Sequence, residues 1–200
     1  LIDEEERDGG LHERLEHLFR GSRDELAIDL AIQAGERSAD LYADRKAIEY
    51  FARAYSRVKG TEDLRQKGIA LRLGQLFERI GELERASVWY DAALNAYPER
   101  GVDSIPALLG LGNVAFARGM SEQAEELVDK AIAILNEADE FSSDFHIVAM
   151  RLKALASLKK GKSDECKALL LSALELSQEK FVSEYRGELL LDLARVEFEE

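Results

Sequence analysis

The residues that could carry chemistry in this sequence of 200 residues are few. His12, His17 and His146 are the three histidines, and no set of cysteines or carboxylates accompanies them at the spacing of a metal site. His12 and His17 are five residues apart, whereas neighbours on one helical face are three or four apart. The single cysteine, Cys166, cannot form an internal disulfide, and we interpret it as a small core residue of a reducing, cytoplasmic setting. We therefore expect no metal ion.

Motifs of nucleotide chemistry and nucleophilic catalysis are also missing from the sequence. The segment ASLKKGKS (156–163) is similar to the end of a phosphate-binding loop, but Ala156 stands at the leading glycine position and the segment joins two predicted helices. There is no G-x-S-x-G motif and no plausible Cys–His pair. Paired carboxylates arise by chance among 40 acidic residues, and we interpret them as solvated helix faces. The sequence therefore predicts that the protein is not an enzyme and needs no cofactor.

The charge of the chain argues against two classes of partner. The formal net charge is −13 and the isoelectric point is near 4.8. A nucleic-acid-binding protein is expected to carry a basic stripe, and an anionic membrane surface attracts basic segments. No run of residues approaches eighteen apolar positions, and no signal peptide is visible. We therefore expect protein partners, with no nucleic acid and no membrane among them.

Small residues, aromatic residues and helix breakers follow one another at fixed spacing in LGQLFERIGELERASVWYDAALNAYP (73–98). The glycines and alanines indicate close helix–helix contacts, because a small side chain lets a neighbouring helix approach. Gly81 can end a first helix in the left-handed conformation, and Pro98 ends a second one. Counted from the first small residue, the pattern is Gly74, Phe77, Gly81, Ala86, Tyr90, Ala93 and Pro98.

The same pattern recurs along the chain. Its first small residue recurs at intervals of 39, 38, 42 and 40 residues, as Gly35, Gly74, Gly112, Ala154 and Ala194. The two small residues of the second helix recur as Ala47 and Ala54, Ala86 and Ala93, Ala124 and Ala131, and Cys166 and Ala173. The bulky residue between them is Phe51, Tyr90, Val128 or Leu170. The glycine that joins the helices is Gly81, Gly119 or Gly161, and Tyr42 takes its place in the first repeat.

This pattern resembles the tetratricopeptide repeat (TPR), a helix–turn–helix unit of about 34 residues that stacks into a solenoid. The resemblance implies an all-α fold, a right-handed α-solenoid of antiparallel helix pairs, with longer helices or links than the minimal repeat. We predict the pairs 23–41 with 44–58, 62–80 with 83–96, 103–118 with 121–137 and 142–160 with 163–178, then a helix over 181–199. The predicted domains are an acidic segment with a short amphipathic helix (1–22), four repeats (about 23–60, 61–101, 102–140 and 141–180) and the first helix of a fifth (181–200).

A second resemblance concerns the start of the chain. LHERLEHLF, followed by AGERSADLYADRKAIEYF, resembles the junction in large bacterial signalling proteins between an ATPase, kinase or cyclase module and a tetratricopeptide array. The helix pair that normally lies between these two segments is shortened here. The resemblance implies that this chain could be the regulatory segment of such an enzyme.

In the tetratricopeptide family the first helix of each repeat lines a concave groove that holds a peptide or helix of a partner. The repeat phase places in this groove Arg72, Gln75, Arg79, Leu109, Asn113, Phe116, Arg151, Leu155, Lys159 and Arg195. In peptide-binding relatives an asparagine at the Asn113 position often bonds the ligand backbone; the alternative is an exposed polar residue. The basic residues either select an acidic peptide or pair with neighbouring glutamates and have no other role.

These patterns together favour a protein–protein interaction module within a larger cytoplasmic signalling or scaffold protein. The alternatives are a regulatory or sensor segment of a multidomain kinase, cyclase or ATPase, and a self-associating scaffold. The last predicted helix has four apolar residues to bury and no second helix to cover them: Leu189, Leu190, Leu193 and Val196. We therefore expect a larger parent protein, or a homodimer through this terminal helix.

Overall fold

The computed structural model describes residues 24–96, 101–138, 143–179 and 185–199, and every α-helix in these ranges begins and ends within a few residues of its predicted bounds. The helices are α1 (Asp24–Asp40), α2 (Asp44–Val58), α3 (Arg65–Arg79), α4 (Leu83–Asn95), α5 (Ile105–Ala117), α6 (Ser121–Glu137), α7 (Ser143–Lys159), α8 (Ser163–Glu179) and α9 (Arg186–Glu199). A short 3-10 helix, Val102–Ser104, precedes α5. The described part of the chain is all-α, as predicted. The predicted N-terminal helix and Pro98 lie outside the described residues.

The helices pack in sequential antiparallel pairs, which confirms the predicted fold class. We call α1, α3, α5, α7 and α9 the first helices and α2, α4, α6 and α8 the second helices. The described residues divide into two compact units, the first ending at Trp89 and the second beginning at Tyr90. None of the described helices is long and apolar enough to cross a membrane.

Each first helix of a described pair ends in the same hydrogen-bonded cap. In three of the four links between a first helix and its second helix, the second residue after the first helix has a positive φ: 78° at Gly81, 81° at Gly119 and 73° at Gly161. The amide N–H that follows donates to a carbonyl five residues back, for example from Glu82 to Phe77 at 2.9 Å. This pattern is the Schellman motif, in which glycine adopts the left-handed conformation at no steric cost. The first link uses the same motif with Tyr42 at φ 58°.

We expect Tyr42→Gly to stabilise the protein by about 1 kcal/mol, because a residue with a Cβ pays a steric penalty in the left-handed region. The Tyr42 side chain is 82% exposed, so little apolar burial is lost, although the Arg79 guanidinium lies 5.6 Å from its ring centre. Urea unfolding followed by circular dichroism measures the change. The control is the opposite substitution at an equivalent position, Gly119→Ala, which should lower the urea midpoint. An unchanged or lowered midpoint for Tyr42→Gly would show that the contact between the Tyr42 ring and Arg79 contributes more than the backbone strain costs.

The small residues of the repeat pattern lie at helix crossings. A Cβ built on Gly35 would come within 2.8 Å of the Phe51 ring, and one on Gly112 within 3.2 Å of Val128 Cγ2. Gly74 is buried in α3, and the small second-helix positions are at most 3% exposed: Ala47, Ala54, Ala86, Ala93, Ala124, Ala131, Cys166 and Ala173. Ala194 departs from this rule because it is exposed on α9.

Among the described residues, two apolar clusters lie in the core of the second unit. The first joins α5, α6 and α7 through Ile105, Leu108, Leu109, Val128, Ala131, Leu135, Ala149 and Leu152. The second joins α7, α8 and α9 through Ile147, Ala154, Cys166, Leu170, Ala173, Leu189, Leu193 and Val196. Cys166 is therefore a buried core residue, as its place in the repeat indicates. Each cluster draws on three successive helices, so packing is continuous along this unit.

Candidate functional site: the first helices

The first helices of the first unit are joined by a row of arginines on α3. Arg72 binds both carboxylate oxygens of Glu36 on α1, from Nε at 2.9 Å and from a terminal nitrogen, and it also donates to Gln75 at 3.0 Å. Arg79 pairs with Asp44 and donates to the carbonyl of Ala39 at 3.2 Å. Both guanidinium groups are therefore held by the neighbouring repeat rather than presented as free cations.

Arg65 extends this row and was not identified from the sequence. Its guanidinium reaches three carboxylates at 2.6 Å each, those of Glu25, Asp29 and Asp63. The signal was present in the spacing, because Arg65, Arg72 and Arg79 are seven apart and so lie two turns apart on one helical face. The arginine row consists of these three residues.

The Asp63 carboxylate also caps α3. Its Oδ1 accepts the backbone N–H of Arg65 at 2.9 Å, which satisfies one of the amide groups that a helix start leaves without a partner. The Arg65 side chain donates to both carboxylate oxygens, at 2.9 Å to Oδ1 and 2.6 Å to Oδ2. These hydrogen bonds, the side-chain ones first, lower the pKa of Asp63 below its ordinary value of 3.8.

We expect the charge of Asp63 to stabilise the folded state at neutral pH. Because the pKa of the folded state lies below that of the unfolded chain, the stabilisation is present above the unfolded-chain pKa and is lost as the pH falls through the lowered pKa. Asp63→Asn keeps a capping oxygen and should cost about 1 kcal/mol at pH 7. The difference from wild type should shrink as the pH falls through the lowered pKa, and a difference that is constant with pH would mean that charge is not involved. Asp129→Asn, at an exposed ion pair, is the control.

The first helices of the second unit are joined by different contacts. Arg151 on α7 donates from Nε to Asp192 Oδ2 and from a terminal nitrogen to Glu188 Oε2 on α9, both at 2.6 Å. Lys159 Nζ lies 3.2 Å from the backbone oxygen of Phe116 on α5 and 4.3 Å from the centre of its ring. In the structure, Arg72, Arg79 and Arg151 thus each pair with an acidic neighbour.

Burial divides the remaining predicted groove residues. Leu109 and Leu155 are 3% and 6% exposed and belong to the core, so neither can contact a ligand without a rearrangement. The sequence periodicity alone does not distinguish a leucine that faces the core from one that faces the groove. Gln75, Lys159 and Arg195 are exposed, and Asn113 and Phe116 are half-buried. The predicted set therefore combines two buried leucines with exposed and half-buried residues.

One group of predicted residues does lie together, on α5 and α7. Lys159 contacts Phe116, and Asn113 precedes Phe116 by one helical turn on the same face. This group offers an amide, an aromatic ring and an ammonium. Amides can donate and accept hydrogen bonds at once, and Phe116 supplies apolar area. We call Asn113, Phe116 and Lys159 the α5–α7 patch.

The described residues contain no group of three or more His, Cys, Asp and Glu side chains that could hold a metal ion. The raised pKa values of the Tyr50 and Tyr55 hydroxyls follow mainly from burial against apolar neighbours. Burial of this kind is a consequence of packing and does not assemble a nucleophile with a base.

Comparisons with known proteins place the fold among tetratricopeptide-like structures. The chain is similar to the crystal structure of BtubC (BKLC) from P. vanneervenii, with a TM-score of 0.70 and 16% identity over 94% of this chain and 80% of that one. TPR-like repeats of a Podosopora anserina kinesin light chain give a TM-score of 0.63 and 15% identity over 83% of this chain and 82% of that one.

The apo form of the quorum sensor NprR from B. thuringiensis gives a TM-score of 0.72 and 16% identity over 94% of this chain, which spans only 54% of NprR. No protein-family model matches the chain, and no curated protein matches its sequence. Likenesses at these identities show the fold alone, which is TPR-like.

Proposed function

We propose that this protein binds a peptide or helix of a partner protein along its first helices, within a larger cytoplasmic signalling or scaffold assembly. The observation that carries the proposal is the TPR-like stack of antiparallel helix pairs. In this stack, the small residues of the repeat pattern on the second helices are buried in helix packing. The exposed side chains of the first helices are then available for recognition.

The α5–α7 patch is the contact point that we propose within this surface. A half-buried ring flanked by an amide and an ammonium can bury an apolar side chain of the ligand and bond its backbone at the same time. A preference for acidic ligands rests on Lys159 and Arg195. At Arg72 or Arg151, an acidic ligand would first have to displace Glu36 or Asp192, each already bonded to the guanidinium.

A pull-down from host lysate, followed by direct binding of the purified partner, tests the proposal. The wild type is compared with Asn113→Ala, Lys159→Glu, a double variant on the α5–α7 patch. The matched control is Lys153→Glu, the same change of charge on α7 at a lysine that pairs with Asp129. Circular dichroism confirms that helicity is unchanged. Loss of the partner with the double variant alone supports the patch, and equal retention by all three proteins contradicts it.

The finer assignments stay predictions from the sequence. These are the division into four repeats and a fifth first helix, the regulatory role beside a kinase, cyclase or ATPase, and self-association through the last helix. The regulatory role has a direct test in the reading frame, since it requires a catalytic domain before residue 1.

A further inference from the structure

The arginine row on α3 is occupied in this structure by a helix of the same chain, α1. Arg65 lies 2.6 Å from Glu25 Oε2 and 2.6 Å from Asp29 Oδ1, and Arg72 binds both carboxylate oxygens of Glu36. The third arginine of the row donates to a backbone carbonyl in the last turn of α1, at 3.2 Å. Every member of the row therefore contacts α1, and the row holds this helix along most of its length.

The two helices carry opposite charge. α1 has five acidic residues and one arginine, whereas α3 has three arginines, one lysine and one glutamate. The ion pairs between them are partly open to water, since the side chains of Arg65 and Arg72 are 27% and 37% exposed. Exposed pairs of this kind are screened by salt. The attraction between α1 and α3 therefore depends on ionic strength.

Apolar packing holds α1 less firmly than it holds α3. The buried residues of α1 are mostly small, and among the described ones they are Ala27, Ile28, Ala31, Ala34, Gly35, Ser38 and Ala39. Those of α3 include four large side chains, Ile69, Leu73, Leu76 and Phe77. Because the stabilisation from burial is roughly proportional to the apolar area removed from water, α1 gains less from docking than α3 does. The ion pairs with the arginine row are then a larger share of what keeps α1 in place.

The link from α1 to α2 also favours release of α1. Tyr42 has a φ of 58° there, whereas the other three links between a first helix and its second helix use glycine. A residue with a Cβ is strained in the left-handed region, and the strain is relieved when the backbone leaves this conformation. Undocking of α1 allows such a change in the link. The strain at Tyr42 therefore lowers the free energy needed to release the helix.

We propose that α1 is an internal competitor for the arginine row, and that an acidic helix of a partner protein replaces it there. This inference rests on the proposed function, since the row lies on the first helices, and it names the ligand class and the regulation of that surface. The ligand helix has carboxylates spaced by four and seven residues, as Glu25, Asp29 and Glu36 are. It has small residues where it meets α2, because a Cβ on Gly35 would come within 2.8 Å of the Phe51 ring.

The covalent link between α1 and α2 sets the ligand concentration at which exchange occurs. A segment joined by a short link competes at an effective concentration on the order of millimolar. A free peptide with the sequence of residues 24–40 makes the same contacts and pays the same ordering cost, so it should displace half of the resident helix at about that concentration. Weakening the resident helix alone should lower this concentration, because the peptide keeps all of its ion pairs.

Binding of this peptide, labelled with a fluorophore, to the full chain tests the proposal by fluorescence anisotropy. The double variant Asp29→Asn, Glu36→Gln removes two charges of the resident helix. The half-saturating peptide concentration should then fall about tenfold, from a factor of about three for each lost ion pair. The matched control, Glu125→Gln, Asp129→Asn, removes two paired charges from α6 and should bind the peptide as wild type does.

A third substitution tests whether the peptide lies on the arginine row. Adding Arg72→Gln to the Asp29→Asn, Glu36→Gln chain should raise the half-saturating concentration again, by a factor of about three, because the glutamate of the peptide then loses its partner. The resident helix no longer has that glutamate and is little affected.

Hydrogen exchange measured by mass spectrometry follows the release of α1 directly. With excess peptide, or in high salt without it, the amides of α1 should lose protection while those of α3 keep it. Three results would each overturn the proposal: no gain in peptide binding for Asp29→Asn, Glu36→Gln, a gain that Arg72→Gln leaves intact, or α1 amides that exchange only when the whole chain unfolds. The peptide is part of this chain, so these results do not depend on a captured partner, and failure of the pull-down is a separate outcome.

Discussion

Gly110→Ala is expected to destabilise the protein by about 2 kcal/mol, because there is no space for the added methyl group. A Cβ at residue 110 would lie 2.4 Å from Tyr90 Cζ and 2.5 Å from Cε1. Tyr90 is only 2% exposed, so its ring cannot move aside without disturbing the core. The gain in helix propensity from glycine to alanine, about 1 kcal/mol, offsets only part of this cost.

Gly68→Ala is the matched control for this prediction. Gly68 lies in the first turn of α3, and a Cβ there would meet nothing within 4 Å. Because the added methyl group meets no clash, only the higher helix propensity of alanine remains, and the variant should be more stable than wild type by about 0.5–1 kcal/mol. Urea unfolding of both variants should therefore shift the midpoint in opposite directions. A Gly110→Ala protein as stable as wild type would contradict the packing described for Tyr90.

Arg151→Ala is the second large effect, with an expected cost of about 2–3 kcal/mol. The side chain of Asp192 is 6% exposed, and Arg151 provides its ion pair. Removing one partner of a buried pair leaves a charge out of water without compensation, which costs more than the pair itself contributes. Arg151 is 23% exposed, and the estimate is reduced for that solvent access. Unfolding in urea, followed by circular dichroism, measures the loss.

A control variant and a rescue variant for the Arg151→Ala prediction use residues close to Arg151. Lys153→Ala, two residues away on α7, removes a pair with an Asp129 side chain that is 60% exposed, and it should change stability by at most about 0.5 kcal/mol. The double variant Arg151→Met, Asp192→Leu should recover most of the lost stability, since an apolar pair of similar volume can replace a buried ion pair. If the double variant were as unstable as Arg151→Ala, the loss would come from packing rather than from the stranded charge.

The repeat spacing determined most of the local structure. Helix bounds, the three glycine links and the small positions at helix crossings all follow from residues close together in sequence. The reason is that a helix is selected by the spacing of its apolar residues within a few turns, and a Schellman cap by one residue that accepts a positive φ. The same local rules apply to Tyr42, whose place in the pattern indicates a link and whose φ is 58°.

The pairing of charged and apolar side chains was decided by the tertiary structure. Arg72 and Glu36 are 36 residues apart in sequence, and Arg151 and Asp192 are 41 apart. Many acidic residues lie at similar separations, so composition could not select the partner. Leu109 and Leu155 share the repeat phase of the groove residues, yet both are buried. Gly110 packs directly against the Tyr90 ring, although Gly110 is not part of the repeat pattern.

One physical cause explains why the local structure followed from the sequence and the side-chain pairing did not. Backbone hydrogen bonds and periodic burial are satisfied within a helix or between neighbouring helices, and each leaves a trace in the sequence at short range. Whether an exposed cation is free or paired, and whether a leucine faces solvent or core, depends on the distance between helices and the angle at which they cross. That geometry is set by every side chain at the crossing together.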